Sequence, residues 1–411
     1  MNILLINHYA GSDALGMEYR PYYFAKEWKK LGHHTTIVAA TYSHIRSHNP
    51  EINKTYEFSD VDGIEYLWIK TPGYKSNSPK RFLNMLVFIS RLCRLTPGIL
   101  KKRRYDVVIA SSTYPLDIFP AQKIARKSKA QLVYEVHDLW PLSPMELGGY
   151  SKWHPFIMLM QYAENFAYRK SDKVISLLPK TKEHMVAHGL EASKWFCIPN
   201  GINESEWMDY EKIPLDIRES ILEIRKKYSR IIAYTGTYGL ANALDSFLDA
   251  AKELKDIPVA FVLFGKGPEQ LHLKERIEKE GLLNVFLFGV VPKKAIPDLL
   301  SFFDILYIGL QNQPLFRFGI SPNKLIDYMM SGKPIIQSIN AGNDMVGEAG
   351  CGISVEPENH LAIAQAIKKM FKMTDDELKI LGENGKEFIL KNHLNSSLAM
   401  KFIEVLQNKS S

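Results

Sequence analysis

Short apolar segments alternate with stretches of helical period along the whole chain, and this alternation limits the possible folds more than any other feature. In the first half, strands are predicted at residues 3–7, 35–39, 64–69, 107–110, 132–136 and 173–176. In the second half, they are predicted at residues 231–234, 259–264, 285–288, 305–308, 334–338 and 352–355. Such alternation is typical of parallel sheets with crossover helices, so the predicted class is α/β with two doubly wound sheets.

A chain of 411 residues is too long for one typical core, which also favours two domains. We place an N-terminal domain at residues 1–200 and a C-terminal domain at residues 201–393, with a hinge at residues 199–229. The final helix is predicted to pack back on the first domain, so residues 394–411 belong with it. Because open α/β sheets bind ligands at the carboxyl ends of their strands, two facing sheets imply a central cleft between the domains.

The composition is that of a globular protein, with 46% hydrophobic and 24% charged residues. No unbroken apolar run reaches the roughly 18 residues that span a bilayer. The first residues, MNILLINHYAG, lack a basic leader and are typical of a first strand, so a cytoplasmic protein is expected. Cys93, Cys197 and Cys351 are far apart and odd in number, which favours free thiols over disulfides or a zinc site.

The net charge of +7 is concentrated in one region that contains no acidic residue. Its basic residues are Lys75, Lys80, Arg81, Arg91, Arg94, Lys101, Lys102, Arg103 and Arg104. A helix here would place Arg81, Asn84, Arg91 and Arg94 on one face. Such a helix can lie in an anionic lipid interface, with Arg81, Arg91 and Arg94 as membrane contacts, or it can be a domain helix with a solvated basic face. Nucleic acid is a disfavoured partner, because no aromatic or repeat pattern accompanies the charge.

The segment FGISPNKLIDYMMSGKPII predicts an anion site at the start of a helix. Ser321 is the expected N-cap, and Pro322 is expected at the first helical position. The amides around Asn323, the positive helix end and the Lys324 cation would then face one anion. Asp327 follows one turn later. Amides, a cation and a carboxylate suit a nucleotide diphosphate with its ribose, although an ordinary capped helix would have the same sequence.

Six motifs occur in order across the second half of the chain. They are IPNGI at residues 198–202, YTGTYG at 234–239, LFGKGPE at 263–269, NVFLFG at 284–289, the segment 321–334 and AGCGI at 349–353. In this order they resemble the retaining glycosyltransferases of family 4, which have the GT-B architecture of two Rossmann-like domains. The resemblance covers nearly the whole chain. It implies a nucleotide-sugar donor, expected to be a UDP-sugar, and no cofactor.

The resemblance also implies roles for individual residues. The expected donor-binding residues are Gly236, Thr237, Gly239, Gly265, Gly267, Ser321, Pro322, Asn323, Lys324 and Asp327. The expected acceptor-side residues are Gly16, Glu18, Arg20, His137 and Asp138, and the expected catalytic residues are His137, Lys324 and Asp327. His137 follows the strand at residues 132–136 and would hydrogen-bond a donor-sugar hydroxyl. A purely structural role for this strand-end histidine is the alternative.

Two departures from the family pattern concern the donor site. The family's Glu-x7-Glu pair is represented by Gly319 and Asp327, so the first carboxylate is missing. The Arg and Lys that clamp the diphosphate are absent from residues 237–245, so Lys324, the helix amides and the loop amides near residues 236–239 would replace them. A non-catalytic partner protein and a sugar-nucleotide epimerase of the same architecture therefore remain alternatives. The sequence looks most like the bacterial surface-polysaccharide enzymes of O-antigen and capsule assembly, which implies a lipid-linked glycan acceptor at the inner membrane face.

Asp60-Val61-Asp62 matches the D-x-D metal motif of another glycosyltransferase architecture. Gly63 follows it directly and a strand comes next, which is typical of a hairpin turn. A metal site would be expected at the carboxyl end of a strand instead. We therefore predict a turn here, no clustered metal ligands and no metal requirement.

Overall fold

The computed structural model describes residues 1–74 and 79–408. The chain divides into two compact units, the first formed by Met1–Asn200 with Asn395–Ser411 and the second by Gly201–Leu394. This division falls at residue 200, where the sequence analysis places the domain boundary. Lys75 of the basic segment lies outside the described residues.

The first unit is built on a mostly parallel sheet. Its strands are β1 (Asn2–Ile6), β2 (His34–Ala40), β3 (Tyr56–Val61), β4 (Ile64–Ile69), β5 (Val107–Ala110), β6 (Gln131–Val136), β7 (Lys173–Ser176) and β8 (Trp195–Cys197). They are ordered β3-β4-β2-β1-β5-β6-β7-β8, and all neighbours are parallel except the hairpin of β3 and β4. Its helices before residue 200 are α1 (Arg20–Lys30), α2 (Pro79–Lys102), α3 (Ile118–Ser128), α4 (Leu142–Gly148), α5 (Pro155–Lys170) and α6 (Lys182–Ala187).

The second unit contains an all-parallel sheet. Its strands are β9 (Arg230–Thr235), β10 (Val259–Phe264), β11 (Val285–Phe288), β12 (Ile305–Gly309), β13 (Ile335–Ser338) and β14 (Gly352–Val355), in the order β11-β10-β9-β12-β13-β14. Its helices are α7 (Ser205–Met208), α8 (Leu215–Lys227), α9 (Leu244–Glu253), α10 (Gln270–Glu280), α11 (Ile296–Ser301), α12 (Asn323–Met330), α13 (Met345–Ala349), α14 (His360–Phe371) and α15 (Asp375–Asn392). Short 3-10 helices occupy Pro115–Asp117, Ala192–Lys194, Leu240–Asn242, Lys293–Ala295 and Pro314–Phe318.

Both faces of the second sheet are covered by apolar side chains. Along β9, Ile231 and Ala233 enter one core cluster, whereas Ile232 and Tyr234 enter another. Successive residues of a strand point to opposite faces, so a strand buried on both sides has an unbroken apolar sequence. This is why the sequence shows these strands as continuous apolar runs.

All twelve predicted strands are present, and the described residues contain two further strands that were not predicted. The side chains of β3 are mostly exposed or half-exposed, so no apolar run marks it, and it pairs only with β4. The strand β8 has three residues, none of them fully buried, and pairs only with β7. Both are edge strands, whose outer sides lack the burial that gives central strands a clear sequence signal.

The C-terminal helix, α16 (Asn395–Gln407), packs on the first unit as predicted. The Trp28 indole donates a hydrogen bond of 3.1 Å to the Ala399 carbonyl, and the rings of Trp28 and Phe402 meet edge to face at 5.1 Å. These contacts join residues near the two ends of the chain. The first unit therefore requires both terminal segments for its core.

The predicted hinge at residues 199–229 is wrong for most of its length. Residues from 201 onward belong to the second unit, and α8 contributes buried Ile221 and Ile224 to its core. The polar composition reflects the outer face of α8, because a surface helix buries only one side. Polar sequence alone therefore did not distinguish a linker from an amphipathic helix.

The basic segment forms α2. Within the described residues, Lys80–Lys102 is the one stretch of helix long and apolar enough to cross a membrane by length and composition, with a mean hydropathy of 1.3 and 33% of its most apolar window buried. Charged residues interrupt it, so the search for unbroken apolar runs did not find it. Long helices of globular proteins meet the same criterion, and the finding is weak evidence for a membrane span.

The prediction that the basic face of α2 points to solvent is wrong for most of its residues, which contact the protein. Asn84 is buried and donates to the Pro72 carbonyl at 2.6 Å, and Arg91 donates to the Lys70 carbonyl. Arg81 packs on the Tyr9 ring, 5.7 Å from its centroid. Of the four residues, only Arg94 is exposed. The long aliphatic stems of arginine allow the side chain to pack along the protein, so helical spacing did not identify the solvent-facing side.

Candidate active site

A pocket of about 330 Å³ lies in the second unit, at the carboxyl ends of β9, β10 and β11. It brings together five of the predicted donor-site residues, namely Gly236, Thr237, Gly265, Lys324 and Asp327. The other residues that line it are Thr235, Phe264, Lys266, Val290, Val291 and Ile296. Among the described residues, Gly239, Gly267, Ser321, Pro322 and Asn323 are not part of its lining.

The helix at the pocket begins one residue later than predicted. Pro322 has an extended backbone (φ −76°, ψ 128°) at the N-cap position, and α12 begins at Asn323. Ser321 therefore precedes the cap. The Tyr328 hydroxyl accepts from the Thr235 amide at 2.6 Å and donates to the Thr235 carbonyl at 3.2 Å, which fixes the helix against the end of β9. The first amides of a helix have no intrahelical acceptor and present a positive end.

Lys324 is held in place and is not the mobile cation that the sequence suggested. Its ammonium donates to the Tyr234 hydroxyl at 2.7 Å and to the Asn242 side-chain oxygen at 3.2 Å. It also lies 4.0 Å from the centroid of the Tyr234 ring. Burial lowers the pKa of Lys324 to about 7, because desolvation penalises the charged form. An anion beside this amine would restore the charge.

Gly236 allows the Lys324 ammonium to approach the loop after β9. Its φ is +145°, and an added Cβ would lie 2.6 Å from Lys324 Cε and 2.8 Å from Nζ. At Gly265, also with positive φ, a Cβ would lie 1.8 Å from the Gly236 carbonyl oxygen. The two loops are therefore in direct contact, and only glycine fits at these two positions.

The loop amides are less available to a ligand than predicted. The Gly236 amide donates to the Phe264 carbonyl and the Tyr238 amide to the Lys266 carbonyl, both at 2.9 Å. At Gly267 an added Cβ would lie 2.2 Å from the Tyr238 carbonyl oxygen, so this glycine serves loop packing. These bonds shape the pocket, and they leave Lys324, in the first turn of α12, and Lys266 as the cations of its lining.

Asp327 lines the same pocket one turn along α12. Its carboxylate makes no hydrogen bond to any residue that the structure describes. Burial raises the pKa of Asp327 to about 7, with Lys293 opposing and Glu206 adding to the shift. The Asp327 side chain is half-exposed and lines the pocket, so its carboxyl can accept hydrogen bonds from a ligand.

Gly319, where the family has its first glutamate, lies in a conformation that favours glycine, with φ +98°. Gly342 packs beside it, since a Cβ there would lie 2.1 Å from the Arg317 carbonyl oxygen and 3.0 Å from the Gly319 amide nitrogen. The loop before α12 thus has a backbone course that a glutamate at residue 319 would strain. The departure from the family pattern is a change in loop conformation as well as in charge.

His137 lies in a buried network at the carboxyl end of β6 in the first unit. Its Nε2 atom is 3.0 Å from Ser111 Oγ and 3.4 Å from Glu135 Oε2, and Ser111 Oγ donates to Glu135 Oε2 at 2.6 Å. Burial alone would lower the pKa of His137, but Glu135 outweighs it, with a smaller contribution from Glu18, and the pKa is raised. The network fixes the orientation of the ring.

Arg20 does not face an open site, contrary to its predicted acceptor-side role. It is buried and paired with Glu135 at 2.9 Å, and it also donates to the carbonyls of Ile198 and Pro199. Burial would raise the pKa of Glu135, but Arg20 and His137 outweigh it and hold this pKa at about 2. Arg20 therefore positions the network around His137.

The other predicted acceptor-side residues differ in exposure. Gly16 is buried with φ +92°, and an added Cβ would lie 2.8 Å from the Ser47 amide nitrogen. Glu18 is partly exposed and Asp138 is exposed. Gly16 therefore shapes its loop, whereas the two carboxylates remain accessible to a ligand.

The D-x-D sequence forms the predicted turn. Asp62 and Gly63 connect β3 and β4 with φ values of 53° and 77°, and Asp60 Oδ1 accepts from the Gly63 amide at 2.7 Å. Positive φ at both loop residues is typical of a two-residue hairpin. The turn interpretation is confirmed.

The prediction that metal-type ligands do not cluster is wrong. In the described part of the chain, Glu164, His184 and His188 bring three such atoms within 4.8 Å of one another. Glu164 also accepts hydrogen bonds from Tyr168 at 2.9 Å and Gln161 at 2.8 Å, and burial raises its pKa to about 7. These two hydrogen bonds satisfy the Glu164 carboxyl without a metal ion. The cluster joins α5 to the C-terminal end of α6, a proximity that sequence spacing could not show.

Sequence reasoning missed several residues that shape the two sites. Tyr234 and Asn242 hold Lys324, and Ser111 and Glu135 hold His137. Ser111 directly follows β5 and Tyr234 lies near the end of β9, so the strand-end rule could have selected them. Glu135 lies inside a strand, and an acidic residue in an otherwise apolar strand is the signal that was available.

Comparison with known proteins identifies a glycosyltransferase domain in each unit. The model of the "Glycosyl transferase 4-like domain" matches residues 16–201, and that of "Glycosyl transferases group 1" matches residues 229–373. The chain is 21% identical over 353 residues to the glycosyl transferase WcaI of Escherichia coli (strain K12), whose name assigns it to colanic acid biosynthesis; the match covers 84% of this chain and 86% of WcaI.

Two solved structures are similar along their whole length. Sucrose-phosphate synthase from Thermosynechococcus elongatus has a TM-score of 0.73 at 16% identity, covering 98% of both chains. HepE from Anabaena, in complex with UDP and glucose, has a TM-score of 0.66 at 16% identity, covering 100% of both chains. These likenesses show the fold, the two-domain α/β architecture of the GT-B class. With both glycosyltransferase domains present, the chain is a glycosyltransferase.

Proposed function

We propose that this enzyme transfers a sugar with retention from a UDP-sugar to a lipid-linked or oligosaccharide acceptor during surface-polysaccharide synthesis. The observation that supports this most directly is the second-unit pocket, where Lys324, the start of α12 and Asp327 meet. A diphosphate against the Lys324 ammonium and the start of α12, with the ribose on the Asp327 carboxyl, would match the charges of these groups. The complex of HepE with UDP and glucose supports the choice of UDP.

In this proposal the leaving diphosphate is stabilised by fixed groups of the protein. Tyr234 and Asn242 hold the Lys324 amine in position before the ligand arrives. Groups that need no rearrangement stabilise developing charge most effectively, and partial burial strengthens their effect. The departing phosphate would accept the proton of the attacking hydroxyl on the same face of the sugar. The assignment of His137 to a donor-sugar hydroxyl stays a prediction.

A nucleotide screen followed by a transfer assay tests this function. Thermal shifts with nucleotide diphosphates and nucleotide sugars identify the donor, and transfer is then measured with polyprenyl-linked and free oligosaccharide acceptors. Conversion of the donor sugar without any acceptor would support an epimerase instead. Failure of every nucleotide diphosphate to raise the melting temperature would favour a non-catalytic partner protein.

The affinity for UDP is expected to fall as the pH rises from 7 to 9. Lys324 has a pKa of about 7 in the free protein, and a neighbouring diphosphate favours its charged form, so UDP binding above pH 7 takes up a proton. The affinity should then decrease by up to about tenfold per pH unit, up to the pKa of the complex. Calorimetry in two buffers of different ionisation enthalpy measures both the affinity for UDP and the number of protons taken up on binding.

Uridine is the matched control for this pH dependence, because it lacks the diphosphate. Asp327, whose pKa is also raised to about 7, ionises over the same range and would strengthen ribose binding with rising pH. The uridine profile isolates that contribution. A UDP affinity that follows the uridine profile would place the diphosphate away from Lys324.

Peripheral contact with an anionic membrane is a second part of the proposal. Because Arg81 and Arg91 contact the protein, the exposed residues Arg94, Lys101 and Arg104 are the better candidates. Each basic residue near an anionic surface contributes about 1 kcal/mol, so changing all three to Glu should lower vesicle binding at least tenfold. Co-sedimentation with phosphatidylglycerol vesicles measures this decrease.

The control for this experiment changes three exposed lysines of another surface to Glu, namely Lys368, Lys369 and Lys372. Equal losses in the two triple variants would reject a specific membrane face.

A further inference from the structure

The first unit contains a cavity that the reaction described above does not use. Its volume is about 590 Å³, larger than the second-unit pocket. It lies between α2, α4 and α5, and Trp140, three residues beyond His137, forms part of its wall. It therefore lies at the carboxyl edge of the first sheet, where α/β proteins bind ligands.

The walls of this cavity are mainly apolar and aromatic. Phe82 and Phe156 meet edge to face at 5.4 Å, and Trp140 meets Phe156 at 6.0 Å. Met85 and Leu147 add aliphatic surface. A sugar ring requires many hydrogen-bond partners, whereas an apolar chain requires none. The walls therefore suit a hydrocarbon chain.

The mouth of the cavity is apolar as well. Leu147 and Tyr150 line it and are 52% and 47% exposed, and Trp153 in the same connection is 72% exposed. Exposed apolar residues scattered singly are ordinary, but Leu147 and Tyr150 continue the apolar lining of the cavity to the surface, which is typical of an interaction site.

Two polar groups of the lining have the chemistry of a phosphate site. Arg81 contributes a guanidinium, and no carboxylate is among the lining residues. Ser143 Oγ is buried and has no hydrogen-bond partner among the described residues. A buried hydroxyl without a partner is costly unless a ligand satisfies it. Arginine binds phosphate with more geometric specificity than lysine does.

We propose that this cavity binds the lipid phosphate of the acceptor, with the first part of the apolar chain inside it and the phosphate against Arg81 and Ser143. The inference rests on the proposed function for the identity of the ligand. A sugar attached to that phosphate would lie near the edge that holds His137. The cavity would thereby select lipid-linked acceptors over free oligosaccharides.

Binding of decyl phosphate, measured by calorimetry below its micelle concentration, tests the proposal. Decanol and inorganic phosphate are the two half-ligands, and decyl phosphate is expected to bind at least tenfold more tightly than either. Arg81→Gln should lower the affinity for decyl phosphate at least tenfold and leave that for decanol within twofold. Arg126→Gln changes an exposed arginine of α3 outside the cavity and should change neither affinity.

A second variant keeps the test decisive if Arg81→Gln fails to fold. Leu147 is half-exposed, so Leu147→Asp should fold, and its carboxylate should lower decyl phosphate binding at least tenfold. Equal affinities of Arg81→Gln and Arg126→Gln for decyl phosphate, or equal affinities of the wild type for decyl phosphate and decanol, would overturn the proposal. So would equal losses of decyl phosphate and phosphatidylglycerol-vesicle binding in Arg81→Gln, since these would indicate a general bilayer contact.

UDP binding in the same preparations separates the two proposals. If decyl phosphate binding fails while UDP still binds, the cavity inference is wrong and the proposed function stands. If UDP does not bind while decyl phosphate does, the cavity is supported as a lipid phosphate site and the proposed function fails.

Discussion

Replacing Lys324 by methionine is expected to lower turnover at least tenfold, which corresponds to about 1.4 kcal/mol of transition-state stabilisation. Methionine keeps an unbranched apolar side chain over the Tyr234 ring but removes the ammonium that Tyr234 and Asn242 hold. The diphosphate gains charge as the sugar leaves, so the loss should affect kcat more than the binding of uridine. Steady-state kinetics with the donor found in the nucleotide screen measures the effect.

Lys266→Met is the matched control for this experiment. Lys266 lines the same pocket but is exposed, so its charge is hydrated and it should contribute less. We expect a decrease of no more than about threefold, since exposed ion pairs contribute up to about 1 kcal/mol. Wild-type turnover in Lys324→Met, or a larger loss in Lys266→Met, would mean that the diphosphate lies elsewhere.

Replacing Glu135 by alanine is expected to lower the free energy of unfolding of the first unit by about 3–5 kcal/mol. The change leaves the buried Arg20 guanidinium without its counter-charge and removes the acceptor of Ser111. It also releases His137, so activity should fall together with stability. Urea denaturation measures the effect, with separate transitions fitted if the two units unfold independently.

The pH dependence of this effect identifies the ion pair as its cause. The pKa of Glu135 is about 2 in the folded state, below its ordinary value of 4.5. The stabilisation of the first unit by ionised Glu135 is therefore fully present above pH 4.5 and is lost as the pH falls towards 2. The difference between the wild type and Glu135→Ala should therefore persist between pH 7 and about 5. Glu191→Ala removes an exposed partner of Lys194 and should cost less than about 1 kcal/mol. Similar losses in the two variants would show that the buried pair does not stabilise the unit.

Much of the second-unit pocket could be predicted because its parts follow one another in the sequence. Gly236, Thr237 and Gly265 follow apolar strands directly, and Lys324 and Asp327 lie one turn apart on a helix with a proline at its start. Local rules for strand ends and helix starts apply to such residues. The hydrogen-bond partners of Lys324 could not be predicted, because Tyr234 and Asn242 are more than eighty residues away.

The orientation of α2 shows a second limit of sequence reasoning. Periodicity places Arg81, Asn84, Arg91 and Arg94 on one side, but it does not state which side faces the protein. Asn84 turns inward because the Pro72 carbonyl accepts its hydrogen bond, and Arg91 follows because the Lys70 carbonyl does the same. Both acceptors lie in a segment whose position depends on the folded sheet.

The sequence by itself determined the two α/β units, the order of their strands along the chain, the return of the final helix and the groups that suit a diphosphate. Those features follow from burial on both faces of a sheet and from the chemistry of neighbouring residues. The tertiary structure alone decided that Arg20 serves Glu135, that Lys324 is held with a lowered pKa, and that an apolar cavity lies beside Trp140. Such properties depend on desolvation and on contacts between distant segments, which exist only once the chain has folded.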